Sequence, residues 1–171
     1  MKNVYIFLYY FLINKIPNST FPGGAYFNLF RGFFVKKIIK FGSNNTFQKN
    51  IYFGNGCNVI IGNNCQINDN VRFDNVKIGD DVMIARDSIF LGKNHVYDRL
   101  DISMNKQGFT IATQTIVHNN VWIGLGVKIM PGLVLNSGSV IAAGSVLTKN
   151  TVRNGVYAGV PAKLIKIRGG N

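Results

Sequence analysis

The sequence predicts an all-β core, a parallel coil of six-residue repeats, with a helical segment ahead of it and one long loop interrupting it. Three observations carry that reading. An aliphatic residue returns at every sixth position through Val117, Ile123, Ile129, Leu135, Ile141 and Leu147. Four residues after each stands a second, mostly small or β-branched residue: Val121, Val127, Leu133, Ser139, Ser145 and Thr151. Asparagine clusters between these positions, as at Asn44, Asn45, Asn63, Asn64, Asn119 and Asn120, and asparagine tolerates the left-handed backbone angles of tight corners.

A period of six fits neither a helix nor a long flat strand, but it fits short strand, corner, short strand, corner. Three such units close a triangular coil with the aliphatic residues pointing inward. Four or five coils stacked at about 4.8 Å make a prism roughly 22 Å tall. The rhythm extends back through Phe41, Phe47, Phe53, Ile61, Ile67, Phe73, Ile78, Ile84 and Phe90, slipping by two extra residues near Val59 and by one missing near Val76. The period itself sets no handedness, and the general rule for parallel crossovers is right-handed.

From the N-terminus, residues 1–40 form the helical segment. The apolar run Val4 to Ile13 is about half the length of a spanning helix, and no small-x-small cleavage site follows it promptly. Pro22, Gly23 and Gly24 separate it from Ala25 to Lys40, which reads as a basic amphipathic helix: Phe30, Phe33, Phe34 and Ile38 are set against Arg31, Lys36, Lys37 and Lys40. Such a helix suits the inner face of a membrane, as a peripheral contact, or a surface of its own domain or of a sister subunit. The coil occupies residues 41–168, with an inserted loop at 90–116.

The chain of 171 residues carries 19 lysines and arginines against 7 aspartates, a formal net charge of +12. That excess predicts an anionic partner without choosing its kind. The acids all fall between Asp69 and Asp101, so the cations gather at the two ends. Few aromatics stand among the C-terminal cations, which argues against a base-stacking nucleic-acid surface. Two cysteines, Cys57 and Cys65, lack the spacing and partners of a zinc site and read as reduced, buried residues of a cytoplasmic protein. No metal is expected; the two histidines are too few for a three-histidine site.

The ordered series VWIGLGVKIMPG, VIAAGSVLTKN and AGVPAKLIKIR, on hexads of the type [LIV]-G-x-x-[VAS]-x, resembles the hexapeptide-repeat acyltransferases, and most closely the bacterial polysaccharide and sugar O-acetyltransferases. The resemblance runs from about Pro22 to Arg168. It implies a left-handed parallel β-helix, a homotrimer, acetyl-CoA as donor co-substrate, and a sugar or lipid-linked glycan as acceptor.

The interrupting loop holds the stretch NHVYDRLD, similar to the NHxxDRxD element of the polysaccharide acetyltransferases, where the histidine is the catalytic base. His95 takes that role by resemblance, and an imidazole with its ordinary pKa of about 6.5 suits it: it can accept a hydroxyl proton near neutrality and pass it to a leaving thiolate. Asn94 and Asp98 are candidates to orient the imidazole or bind the acceptor, with Tyr97, Arg99, Asp101 and Trp122 as further substrate-side residues. His118 falls at a corner and is expected to face solvent.

For the donor, small residues Gly124, Ala142 and Ala143 let a pantetheine arm lie against backbone. Thr148, Lys149, Lys163 and Lys166 supply charge-assisted donors to phosphates; by resemblance Lys149 and Lys163 meet the nucleotide end. Two other functions fit less of the sequence: N-acetyl transfer to an amino sugar nucleotide, and a non-catalytic β-helix scaffold.

Overall fold

The computed structural model describes residues 1–170. Beyond the helical segment the chain winds into five triangular coils. The first face of the prism is a five-stranded parallel sheet of Lys40–Phe41, Val59–Ile61, Val76–Ile78, Thr115–Val117 and Val134–Leu135. The second stacks Thr46–Phe47, Gln66–Ile67, Met83–Ile84, Trp122–Ile123 and Val140–Ile141. Gly155–Gly159 continues that face in parallel, and Ala162–Ile167 folds back antiparallel on it. The third contains Arg72–Phe73, Ile89–Phe90, Lys128–Ile129 and Val146–Leu147. The winding is left-handed, an exception to the right-handed rule for parallel crossovers.

The hexad residues are the core. Phe47, Phe53, Ile61, Ile67, Phe73, Ile78, Ile84, Phe90, Val117, Ile123, Ile129, Leu135, Ile141 and Leu147 are all buried. Each pairs with its counterpart one coil away, as Ile84 with Ile123 and Ile123 with Ile141, so like side chains stack into ladders. The lower ladder under the third face is aromatic: Phe53 stacks on Phe73 at 5.7 Å and Phe73 lies 5.2 Å from Phe90.

Corners repeat as regularly as strands. The residue three after each inward position has positive φ in nearly every coil: Asn44, Asn50, Gly56, Asn64, Asn70, Asp81, Asp87, Asn120, Gly126, Gly132, Gly138 and Gly144. Asparagine, aspartate and glycine are the residues that accept this geometry. Their neighbours do different work. At the corner between the first and second faces, Asn63 Oδ1 accepts from the Ser43 amide, Asp80 Oδ1 from the Asn63 amide and Asn119 Oδ1 from the Asp80 amide, lacing consecutive coils together.

The N-terminal segment folds as α1 (Lys2–Phe11), a single turn at Ile13–Lys15, and α2 (Gly24–Val35). Among the described residues no helix is long and apolar enough to cross a membrane. The helices cover the open end of the first coil, whose edge would otherwise leave backbone groups unpaired. The Phe47 amide donates to Asn28 Oδ1, the Ile51 amide to Asn14 Oδ1 and the Phe53 amide to the Tyr10 hydroxyl. The Ile51 carbonyl accepts from Tyr9 and Asn14.

Arg31 corrects the amphipathic reading of this segment. It is 0% exposed, and its guanidinium donates to the carbonyls of Phe47 (2.7 Å), Ile16 (2.7 Å) and Pro17 (3.0 Å). Burial lowers its pKa, opposed by Tyr9 and Asp69. Among the described residues its Nε and Asp69 Oδ1 have no hydrogen-bond partner. The helix ends at Val35, and Lys40 already belongs to the first strand. Cys65 is buried as expected, its thiol pKa raised by burial, but Cys57 is exposed because it stands in the corner that follows Gly56.

Candidate functional site

The coil breaks once, at the corner between the third and first faces, between the strands ending at Phe90 and starting at Thr115. The excursion is a hairpin. His95 pairs antiparallel with Phe109, the Val96 amide donates to the Gly108 carbonyl and the Thr110 amide to the Asn94 carbonyl. The Thr110 hydroxyl accepts from the Asn94 amide. A backbone held by cross-strand bonds fixes where His95 stands.

The imidazole is exposed and lies 4.2 Å, centroid to centroid, from the Phe109 ring. Lys93 Nζ sits 3.8 Å from the centre of the same ring. The imidazole is therefore steadied by an aromatic plane. Among the described residues neither Asn94 nor Asp98 gives its ring a hydrogen bond. Arg99 and Asp101 pair with each other at the hairpin tip, in a two-pronged contact. Their mutual hydrogen bond raises the Arg99 pKa and lowers that of Asp101. Gln107 braces this turn by accepting from the Arg99 amide and donating to the Arg99 carbonyl. Tyr97 and Asp98 are exposed on the same arm.

At the foot of the hairpin is a polar cleft of about 350 Å³, lined among others by Asn58, Asp74, Asn75 and Lys93. Asp74 accepts from the Gly92 amide. Asp74, Asn75 and Lys93 were not singled out from the sequence. Phase would have found Asp74: it follows the inward Phe73 as Leu91 follows Phe90 and Thr148 follows Leu147, so it lies on the hairpin's own corner.

The remaining candidates fall on two corners, one face and one added strand. Thr148 and Lys149 follow Leu147, on the same corner as the hairpin and two coils beyond it. Gly124, Ala142 and Ala143 lie on the corner between the second and third faces. A Cβ at Gly124 would come within 2.6 Å of the Ala143 amide nitrogen and 2.8 Å of the Ile141 carbonyl oxygen, so glycine is required by the neighbouring coil. At Gly126 and Gly144 an added Cβ meets nothing within 4 Å, and both have positive φ. That corner therefore presents bare backbone, to which an extended chain carrying amides can lie close. Trp122, 51% exposed, stands just before it on the second face, in register with Met83 and Val140. Lys163 and Lys166 are exposed on the antiparallel strand that closes the C-terminal end. His118 is exposed at its corner.

Residues 114–149 match the family described as "Bacterial transferase hexapeptide (six repeats)". The chain is 36% identical over 128 residues to the galactoside O-acetyltransferase of Escherichia coli strain K12, a match covering 73% of this chain and 62% of that one. It is 32% identical over 123 residues to WbbJ of the same strain, assigned to O-acetyl transfer in lipopolysaccharide biosynthesis, covering 67% and 62%. The matched region thus spans a little under two thirds of these curated relatives. A galactoside acetyltransferase solved in complex with coenzyme A superimposes with a TM-score of 0.81 at 30% identity, covering 97% of this chain and 80% of that one. Repeat phase, coil geometry and these likenesses agree: the chain belongs to the hexapeptide-repeat acyltransferases.

Proposed function

We propose that this protein is an acetyl-CoA-dependent O-acetyltransferase acting on a hydroxyl of a cell-surface polysaccharide sugar or its precursor, with His95 as general base. The observation that carries the proposal is the hairpin: the long excursion from the coil is hydrogen-bonded across its arms and presents an exposed imidazole, with a polar cleft at its foot. The similarity to sugar O-acetyltransferases supports the acceptor class.

In the reaction, the His95 imidazole accepts the proton of the acceptor hydroxyl as that oxygen bonds to the thioester carbonyl carbon. The tetrahedral adduct collapses with cleavage of the carbon–sulfur bond, and the imidazolium returns the proton to the thiolate. Atoms and charge balance with no covalent enzyme intermediate. The cleft with Asp74, Asn75 and Lys93, at the foot of the same hairpin, offers hydroxyl-binding groups. Bare backbone at Gly124, Gly126 and Gly144 suits the pantetheine arm, and Thr148, Lys149, Lys163 and Lys166 suit the phosphates.

A homotrimer is part of the proposal. The hairpin and the glycine corner lie on different edges of one prism, with the third face between them. They complete a single site when the hairpin of one chain meets the glycine corner of another. His95→Ala is expected to lower acetyl transfer to a sugar acceptor by about 10²- to 10⁴-fold while leaving coenzyme A binding, measured by calorimetry, unchanged. Near-normal transfer by that variant would end the assignment.

A further inference from the structure

The helical segment turns its aromatic side outward. With Arg31 drawn into the coil, α2 exposes Tyr26 (78%), Leu29 (74%), Phe30 and Phe33. On α1, Val4, Phe7 and Phe11 are exposed at helical spacing, Phe7 stacked on Phe11 at 5.5 Å. The two helices are joined by rings in contact: Tyr5 meets Phe34 at 6.2 Å, and Phe34 meets Phe30 and Phe33 at 5.3 and 5.5 Å.

Three hollows run together along this surface. An apolar one of about 510 Å³ lies over Tyr26, Leu29, Phe30 and Phe33. It shares Leu29 and Phe33 with a groove of about 550 Å³ between α2 and the first coil. That groove shares Lys36 with a third hollow of about 290 Å³, into which Lys2, Lys36, Lys37 and Lys40 converge. Lys37 Nζ lies 5.4 Å from the Phe33 ring centre and 5.9 Å from that of Tyr5, joining the cationic end to the aromatic one. Residues 1–40 contain no acid.

From this juxtaposition we infer that the α1–α2 face docks on an anionic phospholipid surface, with lipid phosphates in the four-lysine hollow and the row Tyr26, Leu29, Phe30 and Phe33 in the interfacial layer. Aromatic and aliphatic side chains beside a cluster of lysines match the apolar and anionic parts of that layer. A second copy of the chain is disfavoured as the occupant by charge: face against face, it would set two acid-free surfaces and two lysine hollows together. The docking surface is separate from the hairpin and from every residue given a part in acetyl transfer.

The test is flotation of the full-length protein with vesicles of phosphatidylcholine alone or with phosphatidylglycerol added. The wild type is expected to float with the anionic vesicles and not with the neutral ones, and to be released by salt. Lys36→Ala with Lys37→Ala should weaken partitioning roughly 25-fold, about fivefold for each lysine. Leu29→Ser with Phe33→Ser should weaken it at least about tenfold. Both double variants should keep the wild-type melting temperature and molecular mass in solution. Equal flotation with both vesicle types, no flotation of the wild type, or indifference to the Leu29 and Phe33 changes would overturn the inference. So would a smaller assembly in the Leu29 and Phe33 variant, which would give this face to a second copy. Acetyl transfer to a soluble sugar should be the same in wild type and variants, so the two proposals fail separately.

Discussion

Replacing Arg31 by methionine removes the donor that holds α2, the Ile16–Pro17 turn and the first coil together. Three carbonyls, of Phe47, Ile16 and Pro17, lose a charged partner, and hydrogen bonds to charged groups contribute about 1.5–3 kcal/mol each. Relief from burying the guanidinium offsets part of that sum. Replacing both members of a buried ion pair by apolar groups is often neutral, but here the acceptors are backbone carbonyls and remain whatever residue stands at 31. The case is thus removal of one partner only, which costs about 3–5 kcal/mol. For a chain of this length each kcal/mol lowers Tm by about 2–4 °C, so Arg31→Met should melt roughly 6–20 °C below the wild type. Arg31→Lys keeps the charge without the planar fork and should recover less than half of the loss. Thermal unfolding followed by circular dichroism at fixed protein concentration measures both. A methionine variant within about 1 kcal/mol of the wild type would refute the view that this arginine fastens the end of the coil.

Three further outcomes follow from the same geometry. Gly124→Val forces a side chain against backbone of the next coil and should cost about 1–3 kcal/mol, with weakened coenzyme A binding by calorimetry. Lys149→Ala and Lys163→Ala should each raise the KM for acetyl-CoA about tenfold with kcat little changed, as expected for a lost charge-assisted contact of about 1.5 kcal/mol; unaltered KM in both would place the phosphates elsewhere. Burial holds the Tyr9 hydroxyl well above its ordinary pKa and pushes Tyr10 up to about 12. A raised phenol pKa gives stability that is complete below the unfolded value of about 10 and is lost as pH climbs through the folded one. Tyrosinate absorbance and helix signal should therefore change together above about pH 10 in the wild type, and Tyr10→Phe should lessen that alkaline loss.

Much of the coil was legible because one rule repeats. Counting by six from Val117 names the inward residues of the later coils through Leu147, all of them buried, and it carries positions to their corners: Lys149 to the edge of the hairpin, Gly124 to a different edge. The hairpin itself was visible as lost period, yet its internal register was not, and the contact of His95 with Phe109 depends on that register. The helical segment misled for a physical reason. A cation among aromatic residues normally marks the wet side of a helix, but the first coil ends in carbonyls that need donors. That demand comes from tertiary structure and leaves no trace in the local pattern around Arg31. Once Arg31 turned inward, the aromatic residues had to turn outward.

The end-capping helices also bear on how the protein is made. Each coil rests on the one before it: Phe41 pairs with Ile61, Ile61 with Ile78 and Val117 with Leu135, so most partners lie about 17–20 residues back along the chain. The steps from Ile78 to Val117, Ile84 to Ile123 and Phe90 to Ile129 wait for the hairpin to be completed. Because the capping helices precede the coils in the chain, they are made before them, and each later coil has an earlier one on which to add. The prism can grow coil by coil, with its one long wait at the segment that carries His95.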